Sequence, residues 1–233
     1  MDWKRLTLFA GHYGSGKTNI ALNAAFRLRE AGQDVTVADL DIVNPYFRVK
    51  DSEELLEKAG IRLICSRYAG SNVDLPAMPK ETYELVADRS RRGVMDIGGD
   101  DRGALALGRY VPEILEEDDY EFLLVANRFR PLTRTAEATM QVMEEIVGAC
   151  GLGFTALVNN CNLGPDTTAR DVLESRGYIE ELSRLSGLPV KMTCARRELC
   201  PRLEGKVENL FPLDLQRLYY MLNSEVPNGK ADV

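Results

Sequence analysis

The stretch Gly11-His12-Tyr13-Gly14-Ser15-Gly16-Lys17-Thr18 matches the pattern G-x-x-x-x-G-K-[ST] at every fixed position. An apolar run, Leu6–Ala10, precedes it and is typical of a buried strand, and a helical pattern begins at Thr18. In such a setting glycines let successive backbone N–H groups face one ligand, and the helix N-terminus adds partial positive charge. The stretch therefore predicts a phosphate-binding loop, or P-loop, in which Lys17 reaches the β- and γ-phosphates of a nucleotide and Thr18 ligates Mg²⁺.

Short apolar runs alternate with longer segments of helical periodicity along the rest of the chain. The runs lack polar alternation, as expected for strands buried on both faces of a parallel sheet. We therefore predict an α/β fold of the P-loop NTPase type, with a mostly parallel central sheet and helices on both faces. The predicted strands are Leu6–Ala10, Val35–Ala38, Ile61–Cys65, Gly93–Ile97, Glu121–Ala126, Phe154–Val158 and Pro189–Thr193.

Three predicted helices carry specific expectations. The segment Gly103–Glu117 contains Pro112, which must kink the helix or restart it because proline lacks an amide donor. The segment Thr168–Leu185 is predicted to break at Gly177. The apolar face of Leu213–Leu222 predicts a closing helix that packs on the core, since it carries too little positive charge for a membrane-surface helix.

The composition predicts a folded domain that does not coat nucleic acid. Of 233 residues, 45% are hydrophobic and 28% are charged, which is enough for a full core. There are 29 Lys and Arg against 36 Asp and Glu, a net charge of −7, whereas phosphate-coating proteins are basic. No low-complexity linker divides the chain, so we predict one nucleotide-binding domain over residues 1–226, a long loop at Ala69–Lys80 and a frayed tail over 227–233.

The sequence lacks the patterns of a membrane-spanning helix and of a cysteine- or histidine-based metal site. It has no apolar run of the roughly 18 residues that a membrane helix needs. The 5 cysteines are scattered without the spacing of zinc or redox motifs, and there is 1 histidine. We expect reduced thiols, a cytoplasmic location, and neither membrane nor nucleic acid as a partner.

Three aspartates are predicted to complete the site. Asp39 and Asp41 follow the second predicted strand, and Asp96 lies near the end of the fourth, three residues before Gly99. Carboxyl ends of parallel strands gather at one edge of the sheet, so these carboxylates are expected beside the P-loop. The alternative is that strand-end aspartates cap turns or helices. We predict Thr18, Asp39 and Asp96 as Mg²⁺ ligands, with Gly99 sensing the γ-phosphate.

Four motifs together give a more specific resemblance. GHYGSGKT, VADLDIVNPYFR, VMDIGGDDRG and LVNNCNLG, in this order, resemble the MinD/ParA group of P-loop ATPases over most of residues 5–195. The resemblance implies that Asp41 positions the hydrolytic water and that Asp96 is the Walker B aspartate. It also implies that Asn159 contacts adenine, with its neighbour Asn160 as the alternative.

One position departs from the resembled family. That family carries a lysine directly after the first glycine, which reaches the partner's phosphates in an ATP-sandwich dimer, and this sequence has His12 there. Two interpretations stay open: His12 fills the loop, or a protonated His12 replaces the lysine.

The resemblance implies an ATP-binding, Mg²⁺-dependent ATPase that acts as a switch on an unidentified protein partner, with an ATP-dependent homodimer as a further expectation. The alternative is an ATP-dependent ligase or kinase resembling dethiobiotin synthetase or the cobyrinic-acid amidases, with a small-molecule substrate. The pairs Asp39-x-Asp41 and Asp96-x-x-Gly99 favour the switch. GTP is disfavoured because 159–162 lacks the lysine and aspartate of N-K-x-D.

Overall fold

Strands and helices alternate along the part of the chain that the computed structural model describes, residues 1–41, 49–65, 80–99 and 101–215. The strands are β1 (Leu6–Ala10), β2 (Val35–Leu40), β3 (Arg62–Cys65), β4 (Arg92–Ile97), β5 (Tyr120–Ala126), β6 (Ala156–Asn159), β7 (Val190–Arg196) and β8 (Leu210–Leu213). The helices are α1 (Lys17–Glu30), α2 (Glu53–Lys58), α3 (Lys80–Ala87), α4 (Asp101–Gly108), α5 (Val111–Glu117), α6 (Ala136–Cys150), α7 (Ala169–Glu174), α8 (Arg176–Ser186) and α9 (Cys200–Leu203).

The eight described strands form one sheet in the order β3-β2-β4-β1-β5-β6-β7-β8, and every pairing between neighbours is parallel. Successive side chains of a strand point to opposite faces. On β5, Phe122 and Leu124 belong to a core with α4, α5, α6 and α8, whereas Leu123 and Val125 belong to a second core with α1 and α2. Both faces of the sheet are therefore covered by helices, which confirms the predicted α/β fold.

The register of the parallel strands brings the candidate site residues to one edge. Asp39 on β2 pairs with Asp96 on β4, and Asp96 also pairs with Phe9 on β1. On the other side of β1, Ala126 at the end of β5 pairs with Asn159 at the end of β6. The residues that follow these strands thus lie around the P-loop, which joins β1 to α1.

The predicted helix break at Pro112 is confirmed, whereas the break predicted at Gly177 lies two residues earlier. α4 and α5 are separate helices, and Pro112 lies in the first turn of α5, where a missing N–H does no harm. The second break lies at Ser175, and Gly177 is inside α8. The Ser175 hydroxyl donates to the Val172 carbonyl (2.7 Å) and accepts from Asn159 (2.8 Å), which ties the break to the end of β6.

The predicted closing helix Leu213–Leu222 is wrong at its first residue, because Leu213 ends β8. β8 lies at the edge of the described sheet, where Pro212 is tolerated despite its missing donor. Its Phe211 is fully buried and packs edge-to-face on Trp3, with ring centroids 5.9 Å apart. Residues 216–222, the predicted tail over 227–233 and residues 69–79 of the predicted loop Ala69–Lys80 lie outside the described residues. Lys80 itself is the first residue of α3, so the loop prediction is wrong at that residue.

Cys150, Cys161, Cys194 and Cys200 are buried free thiols. Among the helices of the described ranges, none has both the length and the apolar character needed to cross a membrane.

At the amino end of β1, a buried arginine joins three elements. Arg5 is 5% exposed, and its guanidinium forms an ion pair with Glu117 at the end of α5. Its remaining N–H groups donate to the carbonyls of Leu85, Val86, Asp88 and Arg91. The guanidinium therefore fixes the end of α3, the approach to β4 and the end of α5 against β1.

The Arg5→Ala substitution is expected to lower the free energy of unfolding by about 3–5 kcal/mol, because it leaves the Glu117 carboxylate buried without a partner. Urea unfolding followed by circular dichroism measures the change. The matched control is Arg184→Ala, which breaks an exposed pair with Glu181 and is expected to cost less than about 1 kcal/mol. Equal losses in the two variants would contradict a stabilising role for the buried pair.

Candidate functional site

Glycine residues allow the backbone of the P-loop to adopt the conformation that it has. Gly14 and Gly16 have φ values of +75° and +94°, in the region that side chains with a Cβ rarely adopt. The amide of Ser15 donates to the carbonyl of His12 (3.0 Å), which closes the loop on itself. α1 begins at Lys17, so the unpaired amides of its first turn face the space that the loop encloses.

Neighbouring strand ends press against the P-loop so closely that glycine is required at three positions. A Cβ on Gly11 would lie 2.4 Å from the Val125 carbonyl oxygen, and one on Gly16 would lie 2.3 Å from Nδ2 of Asn160. A Cβ on Gly99, the predicted phosphate-sensing glycine, would lie 2.3 Å from the Gly11 carbonyl oxygen. β5 and the segments that follow β4 and β6 therefore hold the loop in shape from both sides.

The predicted lysine and aspartates come together in the structure. Lys17 is 3% exposed, and its Nζ lies 3.4 Å from Oδ2 of Asp41, which is 6% exposed. Oδ1 of Asp39 accepts a hydrogen bond from the backbone amide of Asp41 (3.0 Å). The Thr18 hydroxyl donates to Oδ2 of Asp96 (2.5 Å). The five side chains thus form one buried cluster at the N-terminus of α1.

Asp96 has the properties of a metal-binding carboxylate. It is fully buried, and within the described part of the chain its Oδ1 has no hydrogen-bond partner. The pKa of Asp96 is raised to about 7, mainly by burial and also by the Asp41 charge, while Lys17 and the Thr18 hydroxyl act in the opposite direction. A cation beside Oδ1 would satisfy this oxygen, and oxygen donors of this kind suit Mg²⁺. The described residues include no group of three or more His, Cys, Asp and Glu placed to hold a metal.

The side chains of two neighbouring asparagines, at the end of β6 and directly after it, point in different directions. Nδ2 of Asn159 donates to Ser175 on the α7–α8 side, so this predicted adenine contact faces away from the P-loop. Nδ2 of Asn160 donates to the Ser15 carbonyl (2.7 Å). Successive side chains at a strand end alternate in direction, which is why one asparagine reaches the loop and the other does not. The amide beside the P-loop is therefore Asn160, and its buried Oδ1 has no partner among the described residues.

Sequence reasoning missed the loop that follows β5. Its Arg130 donates from Nε to the carbonyl of Gly14 at the apex of the P-loop (2.7 Å). Its Asn127 is fully buried and donates from Nδ2 to the Asn162 carbonyl (3.1 Å), which joins the β5 and β6 loops. A usable signal was present, because polar residues directly after a central parallel strand fall at the ligand-binding edge.

His12 is a neutral side chain near pH 7. Burial is the main factor that lowers its pKa below the ordinary 6.5, and the charges of Lys17 and Arg130 lower it further. The Tyr13 backbone and Glu145 act in the opposite direction and are outweighed. Of the two interpretations of His12, the protonated replacement for a lysine is thus disfavoured in the ligand-free protein.

Comparison with known proteins identifies the fold but no family. No family model and no curated protein matches the sequence. Solved structures do match: the signal recognition particle receptor FtsY from Elizabethkingia anophelis in complex with GDP has a TM-score of 0.51 and 16% identity, over 83% of this chain and 58% of that one. Chloroplast FtsY from Physcomitrella patens has a TM-score of 0.56 and 16% identity, over 83% and 59%. The cell division protein FtsY from Thermotoga maritima has a TM-score of 0.55 and 17% identity, over 90% and 65%.

These matches place the chain in the P-loop NTPase fold. At 16–17% identity they extend no further than the fold. The chain spans between 58% and 65% of the length of the FtsY structures it matches. The finer resemblance to MinD/ParA proteins rests on the four sequence motifs alone.

The pKa of His12 is open to direct measurement, because it is the only histidine of the 233 residues and gives a single imidazole signal in proton NMR. We expect a titration midpoint below 6.5 in the folded protein and near 6.5 in urea. Since the unfolded chain binds this proton more tightly, the group should lower the free energy of unfolding as the pH falls from 6.5 through the folded pKa. A folded-state midpoint at or above 6.5 would contradict the assigned burial.

Proposed function

We propose that this protein binds ATP with Mg²⁺ and hydrolyses it, and that it acts as a nucleotide-driven switch of the MinD/ParA type on a protein partner. The observation that carries the proposal is the buried Lys17 ammonium, placed at the N-terminus of α1 inside a loop of left-handed glycines. Burying an ammonium is costly unless anions surround it. The phosphates of a nucleotide are the anions that this loop geometry suits.

Binding of the phosphates is assigned to the loop backbone and to Lys17. The amides of the first turn of α1 and the partial charge of the helix N-terminus attract phosphate oxygens. Gly99 touches the backbone of Gly11 from the end of β4, so a γ-phosphate that draws the Gly99 segment inward would act on the chain that leads into α4. This contact gives the proposed switch a physical link to the nucleotide.

Metal binding is assigned to the Thr18 hydroxyl and to Asp96, with Asp39 as an outer carboxylate. Thr18 and Asp96 are already joined by a hydrogen bond, so their oxygens are held close together before any ligand arrives. When bound, Mg²⁺ would neutralise charge on the phosphates during transfer.

Asp41 is assigned two roles in succession. In the ligand-free protein it is the ion-pair partner of Lys17 (3.4 Å). Phosphates compete for the same ammonium, and Asp41 is then available to orient a water molecule.

ATP is proposed over GTP from the residues beside the loop. The amide of Asn160 and that of Asn162, whose Nδ2 donates to the Asn160 carbonyl (2.9 Å), occupy the region that follows β6. An amide both donates and accepts, as recognition of adenine requires, whereas guanine recognition by N-K-x-D uses a carboxylate. The GDP in the E. anophelis FtsY structure makes base choice the first property to test.

The Lys17→Ala substitution is expected to weaken ATP binding at least tenfold, about 1.4 kcal/mol, because it removes the buried charge from the phosphates. Isothermal titration calorimetry measures the affinity, and a melting curve confirms that the variant is folded. The matched control is Lys58→Ala, an exposed lysine paired with Glu54, which should bind as the wild type does. Unchanged affinity in Lys17→Ala, or displacement of labelled ATP by GTP at equal concentration, would contradict the assignment.

The Asp41→Asn substitution is expected to retain ATP binding, or to tighten it, because Lys17 loses its competing carboxylate. Hydrolysis should fall about 100-fold or more, since an amide cannot accept the proton of the attacking water. Phosphate release is measured without any added carboxylate substrate, so that steady wild-type turnover also distinguishes a switch from a ligase. Asp34→Asn, at the opposite end of the same strand, is the control. Wild-type turnover in Asp41→Asn would make Asp41 a structural residue.

A further inference from the structure

We propose that Arg130 supplies a second positive charge, beside that of Lys17, to the phosphate cradle and thereby raises the affinity for polyphosphate ligands. The phosphate cradle is the P-loop, residues 11–18, together with the aspartates at 39, 41 and 96. The inference rests on the proposed nucleotide binding and deepens it, since it assigns a role to a loop that none of the sequence motifs includes. Arg130 lies four residues beyond the end of β5, at the same edge of the sheet as the P-loop.

The contact between Arg130 and the P-loop is direct. Nε of Arg130 donates to the Gly14 carbonyl (2.7 Å), at the apex of the loop. A Cβ added to Gly14 would lie 3.2 Å from the same Nε, so the guanidinium packs against the loop backbone. Arg130 is partly exposed, which leaves its charge open to a ligand that enters from solvent.

The loop that carries Arg130 is held rigidly. The Asn127 side chain accepts from the amide of Phe129 (3.0 Å), and the Asn127 carbonyl accepts from the Thr133 hydroxyl (2.7 Å) and from the Arg130 amide (3.1 Å). Asn127 is itself fully buried and bonded to the loop after β6. The guanidinium is therefore presented on a fixed support, which lowers the entropy lost when a ligand binds.

The charge balance of the cradle explains why a second cation is needed. Among the described residues, the buried charged groups at this edge are Lys17 and the carboxylates Asp39, Asp41 and Asp96. One ammonium faces three acidic groups, and a triphosphate adds more negative charge than one Mg²⁺ would neutralise. Arg128, from the same loop, donates to the Glu174 carbonyl instead and does not serve this purpose.

Binding measurements on four variants test the role of the charge. Arg130→Ala and Arg130→Gln should each weaken ATP binding about tenfold at low salt, because the charge is lost in both while glutamine still hydrogen-bonds. Arg130→Lys should return to within about threefold of the wild type. The loss in Arg130→Ala should be larger for ATP than for ADP, and should shrink at high salt, because screening weakens the interaction of exposed charges. Arg134→Ala, an exposed arginine four residues further along, is the control and should bind as the wild type does.

A second measurement needs no nucleotide. The single imidazole signal of His12 should titrate at a higher pH in Arg130→Ala and Arg130→Gln than in the wild type or in Arg130→Lys, because a nearby positive charge disfavours the imidazolium.

The outcomes separate the two proposals. If the wild type binds no nucleotide, the proposed function fails, whatever His12 shows. If the wild type binds ATP and Arg130→Gln binds equally well, or Arg130→Lys is as weak as Arg130→Ala, the charge has no role and this inference is overturned. An equal loss in Arg134→Ala, or a salt-independent loss in Arg130→Ala, also overturns it.

Discussion

The buried ammonium of Lys17 is the constraint on which the rest of the site depends. Its charge is tolerated in the interior because Asp41 lies 3.4 Å away and Asp39 and Asp96 are buried nearby. The same carboxylates are tolerated because of Lys17, so neither set is stable without the other. In the ligand-free protein the cluster is acidic in balance, and Asp96 keeps an oxygen without a partner among the described residues. A cluster with these properties suits the cation and the phosphates of the proposed function.

Parallel pairing is what assembles this cluster from distant parts of the chain. The register sets Asp39 opposite Asp96 and places β1 beside them, so the ends of three strands converge at the P-loop. The close backbone contacts at Gly11, Gly16 and Gly99 then hold the P-loop between its neighbours. At the amino end of β1, Arg5 fixes this strand to α3 and α5, so the strand that leads into the P-loop is anchored at both ends.

The loops after β5 and β6 form a second layer around the P-loop. Asn160 holds the Ser15 carbonyl, Arg130 holds the Gly14 carbonyl, and Asn127 joins the two loops to each other. The FtsY structures share the fold with this chain at 16–17% identity, which is too low to transfer the roles of individual residues. The chemistry of this second layer therefore has to be determined from the residues of this chain. In the proposed function, its amides take part in base choice and its guanidinium in phosphate affinity.

Much of the fold and half of the site were predictable from the sequence, because they depend on local patterns. The motif at 11–18 set the strand–loop–helix unit, unbroken apolar runs identified seven of the eight described strands, and the aspartates at 39, 41 and 96 followed from their positions at strand ends. Three features were decided by tertiary structure alone. Leu210–Leu213 is a strand because Phe211 is buried against Trp3, a contact between distant parts of the chain. Asn160 rather than Asn159 faces the P-loop because the direction of a side chain depends on where β6 ends. Arg130 meets Gly14 because β5 lies beside β1 in the sheet, and strand order is a property of the packed fold that no local pattern contains.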